Sequence, residues 1–104
     1  MRFFTVMNRS DVLARENFND LTAFIAVARE KNFTKAAAQL GVSQSALSHS
    51  LRTLETRLGV RLLTRTTRSV SLTDMGETLL TDLGPYIDGI HEKLNSFREL
   101  SEKP

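Results

Sequence analysis

The sequence predicts a mainly α-helical fold with one small β-hairpin and a long final helix. Three observations carry that prediction. Apolar residues recur at helical spacing in three separate stretches: Leu21, Phe24, Ile25 and Ala28; Leu47, Leu51, Leu54 and Leu58; and Leu80, Leu83, Ile87, Ile90, Leu94 and Phe97. Gly41 and Gly59 stand where a helix ends on a left-handed residue. Between residues 61 and 72 the period changes, and short runs of Leu, Val, Thr and Ser flank a polar tip.

The elements follow in order. Residues 1–17 show no clear period and are expected to be a mobile extension. Asn19 is placed to cap a first helix, with Asp20 in the first turn, where an acid suits the helix dipole. Asn32 breaks that helix, and Thr34 can cap a second, the Ala-rich Lys35–Leu40. Ser43 is set to cap a third helix ending at Gly59, with Val60 making the contact after the cap. Residues 61–65 and 69–72 read as hairpin strands around Thr66-Thr67-Arg68, a turn that lacks Gly. Thr73 caps the last helix, with Asp74 and Glu77 in its first turn; Gly84-Pro85 interrupts its apolar seam, and Pro85 predicts a kink. Leu79, Leu80 and Leu83 suit a fold back onto the first helix, whereas Ile90, Leu94 and Phe97 suit a second chain.

Composition removes several classes of function. With 104 residues, 40% hydrophobic and 25% charged, the chain fits one globular domain. It has no Cys and only two His, His49 and His91, so thiolate chemistry is excluded and neither a metal site nor a cofactor is expected. No apolar run reaches the ~18 residues that span a bilayer, and the opening Met1–Val6 is too short for a signal peptide, so no membrane partner and a cytoplasmic location are expected. The formal net charge of +2 hides an asymmetry. Residues 29–68 hold eight Lys/Arg against Glu30 and Glu55, and residues 69–104 hold three against seven acids. A basic middle suggests a polyanion, although a solvated surface with chance clustering fits the charge equally well.

The order of elements narrows this. A short helix, a tight turn at Gly41 and a longer helix make a helix-turn-helix, with Ala37 permitting close approach and Val42 and Leu47 filling the angle between the helices. A hairpin with Arg65 and Arg68 near its tip adds a basic wing, so the fold expected is a winged helix-turn-helix over residues 18–72, followed by a linker helix over 73–104. A helix offered to the major groove and a wing on the phosphates suit double-stranded DNA. Ser43, Gln44, Ser45, Ser48, His49 and Arg52 are the polar residues of the third helix. Gln44 can bond adenine through two hydrogen bonds, Ser48 donates or accepts, and His49 can donate to guanine N7 or to a phosphate. The competing reading is the solvated face of an amphipathic helix, or a helical module that binds protein. An enzyme is not expected, because Ser48 and His49 are adjacent, point about 100° apart and cannot pair as nucleophile and base.

The stretch Phe33-Thr34-Lys35-Ala36-Ala37-Ala38-Gln39-Leu40-Gly41-Val42-Ser43-Gln44-Ser45-Ala46-Leu47-Ser48 strongly resembles the N-terminal domain of LysR-type transcriptional regulators. So do Leu54-Glu55-Thr56-Arg57-Leu58-Gly59-Val60-Arg61-Leu62-Leu63-Thr64-Arg65 and Leu72-Thr73-Asp74-Met75-Gly76-Glu77, and the resemblance covers about residues 18–100. It implies a bacterial, sequence-specific DNA binder that works as a homodimer on a pseudo-palindromic site, its linker helix pairing antiparallel with its mate. The family's linker-helix proline corresponds to Pro85. By resemblance, base and backbone contacts fall on Gln44, Ser45, Ser48 and His49, wing contacts on Arg65 and Arg68, and Thr34 and Lys35 begin the helix that crosses the backbone. The expected dimer seam is Leu80, Leu83, Ile87, Ile90, Leu94 and Phe97. Relatives continue into a C-terminal domain that binds a small-molecule effector and supports tetramers; this chain is expected to be the DNA-binding domain without it.

Overall fold

A computed structural model describes residues 18–66 and 69–102; the expected extension, residues 1–17, and the wing-tip residues Thr67 and Arg68 lie outside that description. Residues 18–30 are helical (α1) and precede α2 (Phe33–Leu40), α3 (Gln44–Leu58), β1 (Leu63–Arg65), β2 (Val70–Leu72) and α4 (Asp74–Glu102). The fold is the expected winged helix-turn-helix with a long helix attached.

Two caps fall elsewhere than expected. Asn19 lies inside α1, which already includes Phe18, and the Thr22 hydroxyl donates to the Phe18 carbonyl at 2.9 Å. Asp20, the third residue of the described α1, is buried against Arg57 of α3 (Oδ2 to Nη1 3.6 Å), so its acid also ties two helices together. Asn32, not Thr34, caps α2: its backbone is extended and its side chain accepts from the Lys35 N–H at 2.9 Å. This leaves Phe33 at the first helical position, packed against the core. The remaining signals hold. Gly41 (φ 69°) and Gly59 (φ 74°) close α2 and α3 in the left-handed region, which a side chain would strain. The Ser43 hydroxyl accepts from Ala46 N–H at 3.1 Å, and the Thr73 hydroxyl accepts from Gly76 N–H at 3.1 Å.

The core lies where α1, α2 and α3 meet the root of the hairpin. Phe24, Val27, Leu47, Leu54 and Leu62 are its most deeply buried large side chains, and Ala36 and Ala37 let α2 approach closely. Val42 and Leu58 end their apolar patterns in solvent, at 43% and 49% exposure, so Leu47 and the alanines, without Val42, fill the helix-turn-helix angle.

The hairpin is antiparallel, pairing Leu63 with Leu72, Thr64 with Ser71 and Arg65 with Val70. Its turn closes without glycine because Thr66 N–H donates to the Ser69 carbonyl (2.9 Å) and Ser69 N–H donates to the Thr66 hydroxyl (3.0 Å). Helix α4 runs through Pro85 as one helix of 29 residues. Its first half packs on the domain, with Gly76, Gly84 and Ile87 buried, and every residue from Asp88 to Glu102 is exposed.

Candidate nucleic-acid interface

The turn at Gly41 brings the first turns of α2 and α3 side by side. Thr34, Lys35, Gln44 and Ser45 are all exposed there. The Gln44 Nε2 donates to the Thr34 hydroxyl at 3.1 Å. That bond orients the amide and leaves its Oε1 and second N–H free for another partner. Ser43 stands at the same edge, with its hydroxyl engaged as the α3 cap.

One turn further along α3, the wing joins the surface. Arg65 Nη1 donates to the Ser48 hydroxyl at 3.0 Å, and the guanidinium lies 4.3 Å from the centre of the Phe33 ring. A residue of the wing, one of α3 and one of α2 thus meet at one cation. His49 and Arg52 continue the exposed side of α3. Of the residues expected to contact DNA, Thr34 meets Gln44 and Ser48 meets Arg65; Lys35, Ser45, His49 and Arg52 are exposed on the same two helices, and Arg68 lies outside the described residues. The Ser48 hydroxyl accepts from Arg65 and keeps its own O–H as a donor.

Two residues that matter here were not singled out from the sequence. Phe33 is the platform under Arg65, and the signal available was an aromatic at the start of α2, two residues before Lys35. Glu55 is the other: its Oε2 accepts from Leu62 N–H (2.7 Å) and Leu63 N–H (3.2 Å) and lies 3.7 Å from Arg61 Nε. This carboxylate fastens the root of the wing to α3, satisfying two backbone donors where the chain enters β1. Its signal was that of a lone acid far into a basic stretch. A groove of about 510 Å³ between α3 and the wing is rimmed by Arg52, Arg61 and Arg65.

Of the residues expected in the dimer seam, Leu80 and Ile87 pack against the core of their own chain and Leu83 is half-buried. Ile90, Leu94 and Phe97 stand 42%, 57% and 65% exposed, joined by Leu100 at 68%, which extends the same helix face. Among the described residues no cluster of three His, Asp or Glu is placed to hold a metal ion, and no helix is long and apolar enough to cross a membrane.

Residues 18–77 match the family described as bacterial regulatory helix-turn-helix protein, lysR family. The chain belongs to the LysR family. The HTH-type transcriptional regulator PgrR of Escherichia coli K12 is 51% identical over 92 residues, covering 88% of this chain and 31% of PgrR. PtxR of Pseudomonas aeruginosa is 47% identical over 88 residues, covering 85% of this chain and 28% of PtxR. This LysR-family chain thus spans about a third of the length of the curated relatives it matches. Among solved structures, it superposes on the BenM DNA-binding domain in complex with catB site 1 DNA with a TM-score of 0.69 at 29% identity, over 83% of this chain and 96% of that one. The CbnR DNA-binding domain in complex with DNA gives 0.67 at 34% identity, over 82% and 98%. Both of those domains are bound to DNA, and both are matched nearly end to end by this LysR-family domain.

Proposed function

We propose that this chain is the sequence-specific DNA-binding part of a LysR-type transcriptional regulator. The first turns of α3 enter the major groove of double-stranded DNA, and the wing lies on the backbone or in the adjoining minor groove. Gln44, Ser45, Ser48 and His49 face bases and nearby phosphates; Thr34, Lys35, Arg52, Arg65 and Arg68 hold the backbone. The observation that carries this reading is the meeting of Gln44 and Thr34 at the exposed helix starts, one turn from the contact of Arg65 with Ser48. It presents hydrogen-bonding groups and a basic wing on one surface, with the Glu55 carboxylate at the root of the wing already engaged. The DNA complexes of BenM and CbnR support it. A DNA partner puts the protein in the cytoplasm.

The exposed row Ile90, Leu94, Phe97 and Leu100 supports a homodimer through α4, because a helix face this apolar favours burial. Two copies would then present two recognition helices to a pseudo-palindromic site. Effector binding and any tetramer belong to parts of a regulator outside this domain.

Selecting bound sites from random DNA with the 104-residue chain, at a stated salt concentration, tests the reading. A two-half-site motif should emerge, and its affinity should fall by about 0.9 log units per phosphate contacted for each log unit of salt. Recovery of no motif, with weak binding indifferent to salt, would favour a helical module that binds protein.

A further inference from the structure

We infer that the Arg29–Asp88 pair sets the direction in which the free arm of α4 leaves the winged domain, and through it the half-site spacing that the dimer accepts on DNA. The spacing consequence rests on the dimer reading above; the angular one does not.

The arm begins just past Ile87, the last residue of α4 buried on its own domain. Everything from Asp88 to Glu102 is exposed, so the direction of the arm is decided by what acts on residues 84–88. Pro85 weakens the helix there: it supplies no N–H to the carbonyl of Thr81, and its ring crowds that carbonyl, so bending is easiest at this turn. Against this soft point Arg29 reaches across from α1. Its Nη1 donates to Asp88 Oδ1 at 2.8 Å and its Nη2 to Asp88 Oδ2 at 2.9 Å, two parallel bonds in fork-to-fork geometry. The guanidinium passes over Gly84, where a Cβ would stand 2.9 Å from Nη2. Glycine is a poor residue for mid-helix, and here its missing side chain leaves room for the arginine head. The other acid beside Arg29, Glu30, accepts from Gln39 Nε2 at 2.7 Å and belongs to the α1–α2 contact.

The two side chains are 46% and 51% exposed, and pairs so exposed add little to global stability. The effect is angular. Two parallel bonds one turn past a weakened helix bond hold the root of the arm to α1 from one side. The arm extends ~21 Å beyond Asp88 at about 1.5 Å per residue, so a swing of roughly 10° displaces its tip by about 4 Å. That displacement is close to one base-pair step of about 3.4 Å. A small change of angle at residue 88 therefore becomes a change in preferred spacing.

The chain has no Cys, so spin labels on Ala38→Cys and Lys93→Cys report the arm direction within one chain, diluted into unlabelled protein. Asp88→Arg should shift or broaden the 38–93 distance by several ångström, and the reversed pair Arg29→Glu with Asp88→Arg should restore it. Asp88→Asn, which removes the charge without changing shape, is run beside them and should give a smaller change, so misfolding of the reversal would not blunt the test. On operators whose two half-sites are moved apart one base pair at a time, Asp88→Arg should displace or flatten the preferred spacing by one or more base pairs. Single half-site affinity should stay within twofold, and the reversed pair should recover the original optimum. Unchanged distance in both Asp88 variants, or a moved distance with an unmoved spacing optimum, overturns the inference. An unsubstituted chain without any spacing preference overturns the dimer reading and takes the spacing inference with it.

Discussion

Arg65 touches α3 and α2 at once, so its loss removes both a charge from the wing and a brace between elements. Arg65→Ala should weaken binding to every DNA sequence alike and flatten the salt slope by about one unit, measured by titration at several salt concentrations. Altered sequence preference with an unaltered slope would contradict a phosphate role. Gln44 makes the opposite case: the Thr34 hydroxyl orients its amide, and its proposed role is to read a base. Gln44→Ala should cost about 1–3 kcal/mol on the selected site and relax the choice at one or two base pairs, whereas equal losses on selected and random DNA would remove it from base reading. Asp88 offers a test by titration. The hydrogen bonds from Arg29 hold its carboxyl below the usual aspartate range, with the nearby charges of Arg29 and His91 acting in the same direction. A depressed value means that the pair is intact above the ordinary aspartate pKa of about 3.9 and is lost only as pH falls through the lowered one. The carboxyl carbon shift of Asp88 should therefore be flat from pH 5 to 8, and Arg29→Ala should move its midpoint up toward ~3.9. An unmoved midpoint would show that the pair does not hold in solution.

The same residue type has opposite consequences at two places in α4. A Cβ on Gly76 would run into the Leu62 carbonyl and meet Leu72 Cδ2 at 3.2 Å, because the first turn of α4 lies directly on the root of the wing. A Cβ on Gly89 would meet nothing within 4 Å. Replacing a helical glycine by alanine ordinarily favours the helix by about 0.8–1.0 kcal/mol, so Gly89→Ala should raise the melting temperature by a few degrees. Gly76→Ala should lower it, since backbone must move, and thermal unfolding followed by circular dichroism distinguishes the two. Much of this element structure is legible in the sequence where few residue types suit the backbone, as Gly41 and Gly59 do in the left-handed region and Ser43 and Thr73 do at the caps. It is less legible where neighbours compete. Asn32 and Thr34 both qualify as the α2 cap, and the packing of Phe33 at the first helical position accompanies the choice of Asn32. Asp20 carries the local signature of a first turn, but its burial against Arg57 is tertiary. The candidate interface divides the same way. The polar face of α3 follows from its Leu stripe, whereas the contacts of Arg65 with Ser48 and of Glu55 with the wing join residues 17 and 7 to 8 positions apart and depend on how the hairpin packs.

At the scale of the whole molecule, charge and hydrophobicity divide between the two ends. The basic stretch builds the helix-turn-helix and wing, while α4 is acidic and its free arm carries an unburied apolar row. The acidic arm would be repelled by a phosphate backbone, which favours holding it away from DNA and leaves its apolar face for a second copy. Leu94 lies near the middle of the exposed row Ile90, Leu94, Phe97 and Leu100 and is 57% exposed in the single chain. A charge there costs the monomer little but would have to enter a dry seam in a dimer, at several kcal/mol unless it escapes to water. Leu94→Asp should therefore dissociate the proposed dimer while the winged domain stays folded, because its core of Phe24, Leu47, Leu51 and Leu54 lies in other elements. Two half-sites no longer held as one unit lose their effective concentration, so affinity should fall far more on a two-half-site operator than on a single half-site. Sedimentation at micromolar concentration decides the point. A Leu94→Asp variant that still sediments as a dimer would place the contact between copies on another surface, and equal losses on one and two half-sites would mean that the arm does not couple them.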